Sequence, residues 1–170
     1  VGLLDNIRNG QIRDSDLATL NERVGKTNDA DKAVITLTST NKTARMINET
    51  MLAKMQEPEY VFEGTITGDF DVAKFSTTEL YLHLRVGAQV MFTRNDSSKR
   101  WANGTLGKVE KIEDDAITVV LNNGESHLVD RVTWDKVKYT YNKETKLTEK
   151  TVVGSFTQFP LKLAWAITIH

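Results

Sequence analysis

The order of apolar and polar positions predicts helices at the start of the chain and strands over most of the rest. Near the N-terminus, apolar residues recur every three or four positions and predict two short helices. Their apolar positions are Leu3, Leu4 and Ile7 in the first helix and Leu17, Leu20 and Val24 in the second. We expect Gly10 and Gly25 to end these helices, and Asp14 or Ser15 to cap the second. Each helix has one apolar stripe, so both should pack on a neighbour.

A buried strand followed by a helix is predicted next. Residues 33–38, AVITLT, are mostly β-branched and apolar, which is typical of a strand buried on both faces of a parallel sheet. Ser39, Thr40 and Asn41 then form a polar turn into a helix. The expected inward positions of that helix are Ala44, Ile47, Met51 and Met55.

The turn at 39–41 has two interpretations. Its hydroxyl, amide and backbone N–H groups lie at a helix N-terminus, where the helix dipole favours an anion such as a backbone phosphate. The alternative is that Thr40 only caps the helix, which is the usual role of threonine at that position.

Short strands dominate the pattern from residue 60 onward. A strand is expected at 60–66, a polar linker at 68–78, and an alternating segment at Leu80, Leu82, Leu84 and Val86. Further strands are expected at 89–94, 105–109, 116–121, 125–132, 134–141 and 147–156. The dipeptide Asn123-Gly124 favours a tight hairpin turn. Five or six short strands without an intervening helix are typical of an SH3-like or related small barrel.

The last residues are predicted to form a helix. Pro160 suits the first helical position, and the inward side would consist of Leu161, Ala164, Trp165 and either Ile167 or Thr168. The final residues, AWAITIH, could pass from helix into strand.

Composition narrows the class of protein. The 170 residues include 22 Lys+Arg and 23 Asp+Glu, so no overall basic field indicates a nucleic-acid partner, and such binding would depend on local groups. The absence of cysteine excludes disulfides and thiolate metal sites. No apolar run approaches the length of a membrane span and no signal-peptide pattern opens the chain, so we expect a cytoplasmic protein without membrane contact.

Two candidate sites are weak. Gly25-Lys26-Thr27 resembles the end of a phosphate loop, but Leu20 occupies the position of its first glycine and no strand precedes it. The helix-end interpretation of Gly25 is therefore preferred, and no ATP hydrolysis is expected from this chain. His83 and His127 have no Asp, Glu or Cys partner at ligand spacing, so no metal site is expected.

The basic loop Lys99, Arg100 and Trp101 is the most promising part of the strand-rich region. An exposed aromatic ring beside cations can stack on a base or dock on another domain. The alternative is that Trp101 closes one end of the barrel core, because tryptophan is usually well buried.

Three stretches resemble a known family. They are VGAQVMFTRND at 86–96, WANGTLGKV at 101–109 and SFTQFPLKLAWAITIH at 155–170. In this order they resemble the second RecA-like lobe of superfamily I DNA helicases of the RecD and Pif-one type. The resemblance implies an α/β fold, a partial RecA-like lobe with an inserted all-β SH3-like small barrel. The implied division is 1–80 for the first part of the lobe, 81–153 for the barrel, and 154–170 for a return to the lobe, truncated at the start of motif V.

The resemblance also implies a function. The parent protein would be an ATP-dependent helicase that uses ATP and Mg²⁺ and moves along single-stranded DNA by opening and closing two lobes. This segment lacks the Walker motifs of the first RecA-like lobe of the same chain, its expected partner, so it should be inactive alone and carry no cofactor. The alternative is a non-enzymatic SH3-like protein-interaction module on an α/β base.

Five residues match family positions that face the DNA strand: Ser39, Thr40, Asn41, Thr168 and His170. Backbone-directed contacts suit movement that ignores sequence, because phosphates repeat at every nucleotide. The loop Lys99, Arg100 and Trp101 would contact either DNA or the first lobe.

Overall fold

A computed structural model describes residues 2–22, 24–25, 34–75, 77–142 and 146–168. These residues divide into two compact units, one within Val1–Lys32 and the other within Ala33–His170. In the described ranges, no helix is both long and apolar enough to cross a membrane.

The first unit contains the two predicted helices, α1 (Leu3–Arg8) and α2 (Asp14–Asn21). Gly10 follows α1 with a φ of 65°, so its predicted role as the stop is confirmed. The cap prediction for α2 was wrong by one residue. Arg13 is the N-cap, because its backbone N–H donates to the Asp16 carboxylate at 3.0 Å and fixes the first turn.

The end of α2 also differs from the prediction. The helix stops at Asn21, and Gly25 lies beyond it in a turn with a φ of 73°. Lys26 and Thr27, the rest of the weak phosphate-loop match, lie outside the described residues.

The second unit contains two helices and twelve strands among its described residues. They are β1 (Thr36–Thr38), α3 (Asn41–Ala53), β2 (Tyr60–Glu63), β3 (Thr65–Gly68), α4 (Val72–Phe75), β4 (Tyr81–Leu84), β5 (Gln89–Phe92), β6 (Leu106–Glu113), β7 (Ala116–Leu121), β8 (Ser126–Val129), β9 (Val132–Asn142), β10 (Leu147–Gln158), β11 (Leu161–Leu163) and β12 (Ala166–Thr168).

A five-stranded antiparallel sheet, ordered β11-β5-β6-β7-β8, supplies most of the core. Its strands β5 and β7 alternate buried and half-buried positions, as the period-two pattern predicted. Fully buried side chains from it include Val90, Phe92, Val109, Ile117 and Val119. The predicted Asn-Gly turn joins β7 to β8, with Gly124 at a φ of 86°.

A second antiparallel sheet, ordered β3-β10-β9, is built around the longest hairpin of the chain. The base of this hairpin lies so close to Asp69, the residue after β3, that a Cβ atom on Gly154 would lie 2.5 Å from the Asp69 backbone. The predicted strand at 60–66 is divided at Gly64, because β2 pairs with β4 whereas β3 pairs with β10.

The prediction of a final helix was wrong. Residues 161–168 form β11, which pairs antiparallel with β5, and β12, which pairs parallel with β1. The apolar pattern of so short a segment fits a strand as well as a helix. Backbone hydrogen bonds to distant strands therefore determine which of the two forms.

The burial predicted for β1 was wrong, and the burial predicted for α3 was right only in part. Strand β1 is not buried on both faces: Leu37 is 60% exposed, because β12 is its only paired strand among the described residues. For α3, the predicted inward position of Ala44 is confirmed, and Ile47 and Met55 are half-buried, whereas Met51 is exposed and its prediction was wrong. Asn48 and buried Leu52 lie on the side of Ala44, at intervals of four.

Strand pairing crosses both limits of the proposed insertion. Strand β10 extends past residue 153 and pairs with β3, and β11 joins the sheet of β5. The domain limits at 80 and 153 stay a prediction.

Candidate nucleic-acid interface

Four of the five residues predicted to contact DNA lie together at one edge of the parallel pair β1 and β12. The register places Thr38 opposite Thr168, so both strands end at the same edge. Ser39 and Thr40 follow β1 directly, and Asn41 is the first residue of α3. His170 lies outside the described residues.

Hydrogen bonds fix the turn between β1 and α3. Thr40 is the N-cap of α3, since its Oγ1 accepts from the Thr43 backbone N–H at 3.2 Å. The capping role is therefore confirmed, while a DNA contact by the same side chain stays a prediction. The Thr38 hydroxyl donates to the Thr40 carbonyl at 3.1 Å and holds the turn against the strand.

A second hydrogen bond joins the two halves of the site. The Thr168 hydroxyl donates to the Asn41 side-chain oxygen at 2.6 Å. This bond holds the Asn41 oxygen towards Thr168, and no described residue accepts a hydrogen bond from the Asn41 NH2 group, which has two N–H donors for another acceptor. The side chains thus form a small donor-rich surface.

The start of α3 suits an anion. Its first turn carries no acidic residue, and the exposed cations Lys42 and Arg45 lie there or one position beyond. Across the described ranges, the backbone N–H groups of Asn41 and Lys42 have no hydrogen-bond acceptor. Free N–H groups and the positive end of the helix dipole together favour a phosphate oxygen.

Asn48 holds β12 against α3. Neighbouring residues of a strand direct their backbone N–H and carbonyl groups to opposite sides. Because the Trp165 carbonyl accepts from the Thr36 N–H on β1, the N–H and carbonyl of Ala166 face away from β1. The Asn48 amide meets them there, accepting from the Ala166 N–H at 2.8 Å and donating to its carbonyl at 2.9 Å. It also donates to the Leu163 carbonyl at 3.3 Å. One side chain therefore replaces a neighbouring strand and sets the position of Thr168.

A groove of about 440 Å³ runs from this site along α3. Asn41, Arg45 and Thr168 line one end of it, and Lys162 lies further along. Lys162 is half-buried, and this burial lowers the pKa of its ammonium group. It forms no ion pair with any residue that the structure describes, so it is available to an anionic ligand.

Carboxylates also line the groove, but one is already engaged. Glu59 binds His83 at 2.6 Å and Arg85 at 2.9 Å. The hydrogen bond from His83, followed by that from Arg85, lowers the pKa of Glu59. Within the described residues, no three His, Asp or Glu side chains are grouped as a metal site.

In the loop Lys99, Arg100 and Trp101, two of the three side chains are held by contacts within the protein. Trp101 is 7% exposed and its ring stacks on Phe92 with centroids 4.3 Å apart, which favours the core interpretation. Arg100 is bound by both carboxylate oxygens of Asp96, at 2.8 and 3.0 Å, and covers the Trp101 ring. Lys99 is exposed, at a φ of 61°, and is the member of this loop best placed for an external contact.

The sequence reasoning missed Asn48 and Lys162. The signal for Asn48 is a polar residue at an interval of four from Ala44 and Leu52, in the middle of an apolar helix face. The sequence gives no signal for Lys162, because the predicted helix does not include it among its inward positions.

Comparisons with known proteins found relatives that are similar to this chain over nearly its whole length. No protein-family model matches the sequence. The chain is similar to an ATP-dependent DNA helicase Pif1 of Bdellovibrio bacteriovorus, with 33% identity over 99% of this chain and 37% of that protein. It is also similar to the crystal structure of Bacteroides sp. Pif1 in complex with ADP-AlF4, with 38% identity and a TM-score of 0.85 over 99% of this chain and 38% of that one.

A third similarity is to Bacteroides Pif1 bound to ssDNA, with 37% identity and a TM-score of 0.73 over 99% of this chain and 38% of that one. The chain thus spans less than two-fifths of the length of each of these three proteins.

Proposed function

This chain is a segment homologous to the Pif1-type superfamily I helicases, and from that premise we propose that it belongs to the motor of an ATP-dependent DNA helicase. The similarity covers 99% of the chain, including both ends of the candidate interface. The chain corresponds to 37% of the relative from Bdellovibrio, so the activity belongs to a longer protein.

The segment contributes contacts to the backbone of single-stranded DNA. Its contact residues are Ser39, Thr40, Asn41, Thr168 and His170, at the edge of a partial second RecA-like lobe. The observation that supports this is the hydrogen bond from Thr168 to Asn41, beside a helix start with free N–H donors and no acidic residue. Such donors bind phosphate oxygens without reading the bases.

Residues 81–153 form an SH3-like accessory domain, and its loop Lys99, Arg100 and Trp101 is the candidate contact to DNA or to the first RecA-like lobe. Lys99 is the exposed member of that loop. The sequence contains no complete phosphate-loop motif, so its residues do not fit an ATP site. ATP and Mg²⁺ bind elsewhere in the parent protein.

Binding of single strands by the chain tests this function. We expect weak binding that declines steeply with salt, measured by fluorescence anisotropy of a labelled oligonucleotide, and no ATP hydrolysis. Thr168→Val removes the hydroxyl that orients Asn41, and should weaken binding about 10-fold or more, because a lost hydrogen bond to a charged group costs about 1.5 kcal/mol or more. Thr168→Ser keeps the hydroxyl and should retain affinity.

An unrelated threonine on α3 provides a further control. Thr50→Ala alters an exposed threonine whose hydroxyl only bonds within α3, at 2.7 Å to the Met46 carbonyl, and should leave binding unchanged. Equal binding by Thr168→Val and the unaltered chain, or tight binding that ignores salt, would contradict the proposal.

The second candidate function is a protein-interaction module without enzymatic context. It is favoured by the burial of Trp101 and the pairing of Arg100, which leave the loop at 99–101 few groups for DNA. Genomic sequence around the coding region discriminates between the two. A helicase reading frame carries a phosphate-loop motif upstream of Val1 and Lys-Ser-Gln-Gly after His170, and a frame without either would favour the module.

A further inference from the structure

Among the residues that the structure describes, no third strand pairs with the outer half of the β9–β10 hairpin. Strand β3 pairs with β10 only at residues 154–157, beyond the bulge at Val152 and Gly154. Every residue at 138–141 and at 146–152 is exposed. We call residues 138–141 and 146–152 the outer ribbon. A two-stranded hairpin is marginally stable in water, so such a ribbon usually has a partner.

One face of the outer ribbon carries two aromatic rings. Tyr139 and Tyr141 are two positions apart on β9 and therefore point to the same side. They are 66% and 59% exposed. Lys150 lies directly opposite Tyr139 on β10, and Thr148 lies opposite Tyr141, so both β10 residues share this face.

The spacing of the two tyrosines fits a nucleic-acid base. Residues two apart along a strand are separated by about 7 Å, and stacked nucleotides by about 3.4 Å. One base therefore fits between the rings of Tyr139 and Tyr141, or each ring takes one base of an extended strand. Stacking of this kind tolerates any sequence, because every base has an aromatic face.

The charge of the outer ribbon favours a polyanion. Lys138, Lys146 and Lys150 outnumber the carboxylate Glu149, although the chain as a whole has a net charge of -1. Lys150, beside Tyr139, is placed to meet the phosphate of a nucleotide whose base stacks on that ring. An apolar protein partner would not account for this local excess of positive charge.

We propose that the outer ribbon binds single-stranded DNA, with bases stacked on Tyr139 and Tyr141 and the backbone held by Lys150. This surface belongs to a different sheet from the candidate interface at 39–41 and Thr168. It goes beyond the function proposed above and does not depend on that interface.

Paired variants of the chain test the ribbon. Tyr139→Ser with Tyr141→Ser removes both rings at exposed positions and should weaken binding of a labelled oligothymidylate roughly 5- to 150-fold per stacked base. Tyr139→Phe with Tyr141→Phe keeps the rings and should bind like the unaltered chain. Lys150→Gln should make the slope of log affinity against log salt shallower by about 0.7.

The matched control is Thr140→Ala, which lies between the tyrosines on the opposite face. It should leave affinity unchanged, and thermal unfolding should be the same for all these variants. The inference is wrong if the serine pair binds like the unaltered chain, if Thr140→Ala weakens binding equally, if duplex DNA binds at least as tightly as single strands, or if the unaltered chain binds no single strand at low salt.

The same binding assay distinguishes the two proposals for DNA binding. Loss of affinity in the tyrosine variants with full affinity in Thr168→Val would support the ribbon and contradict the interface at 39–41. The reverse result would support the interface and overturn the ribbon.

Discussion

Replacing Asn48 by alanine should release strand β12 from helix α3. The change removes three hydrogen bonds, to the Ala166 N–H, the Ala166 carbonyl and the Leu163 carbonyl. Each is worth about 1 kcal/mol net, and a buried backbone group left without a partner costs about 1–3 kcal/mol. Because Ala166 is only 1% exposed, water cannot easily replace the amide. We expect the free energy of unfolding to fall by about 3 kcal/mol.

Urea unfolding followed by tryptophan fluorescence measures this loss, and amide hydrogen exchange locates it. Exchange of the Ala166 N–H should accelerate more than exchange in β6 or β7. The matched control is Thr50→Ala on the same helix, whose exposed hydroxyl only bonds within the helix, so its effect should stay within about 0.5 kcal/mol.

The reasoning would be refuted by an Asn48→Ala protein as stable as the Thr50→Ala control. Such a result would mean that water or a shifted backbone satisfies Ala166, and that Asn48 does not position the end of β12. An accelerated exchange spread evenly over the five-stranded sheet would likewise contradict a local role.

Two further predictions concern the loop at 96–101. Trp101→Ala should lower the free energy of unfolding in urea by about 3–5 kcal/mol, because it leaves a cavity against Phe92. Trp101→Phe should cost clearly less. A loss below about 0.5 kcal/mol for Trp101→Ala would mean that the ring is not part of the core. Hydrogen bonds from the Arg100 side chain hold the pKa of Asp96 at about 2, below its usual value near 4. Since the folded-state pKa is lowered, the stabilisation is present above about pH 4 and lost as the pH falls towards 2. Melting curves of Asp96→Asn should lack this part of the acid dependence, and an unchanged acid dependence would contradict the pairing.

Local patterns carried most of the correct predictions. Alternating burial in β5 and β7, the Asn-Gly turn before β8 and the cap at Thr40 all depend on neighbours within a few residues. Period, turn chemistry and capping are properties of the sequence itself, so they could be predicted without the fold.

Long-range pairing decided the features that the sequence did not reveal. Residues 161–168 become strands because β5 and β1 supply their hydrogen bonds, and nothing near Pro160 indicates either partner. Lys162 enters the candidate groove only as a consequence of that pairing. Arg100 likewise has a distant partner, because its side chain donates to the Leu128 carbonyl on β8, 28 positions along the chain.

The pairing of β1 with β12 also has a consequence for the order in which the protein folds. Its partners Thr36 and Ala166 lie about 130 residues apart, and each strand is only three residues long. Closing so long a loop costs conformational entropy, and only a few hydrogen bonds offset that cost. We therefore expect this strand pair to form late in folding and to open early in unfolding. During synthesis, Val34 and Leu37 emerge long before their partner strand, so chaperones have more time to bind β1 than any strand of the hairpins. A preparation can therefore retain its five-stranded sheet and normal circular dichroism while the edge at Thr40 and Thr168 is open.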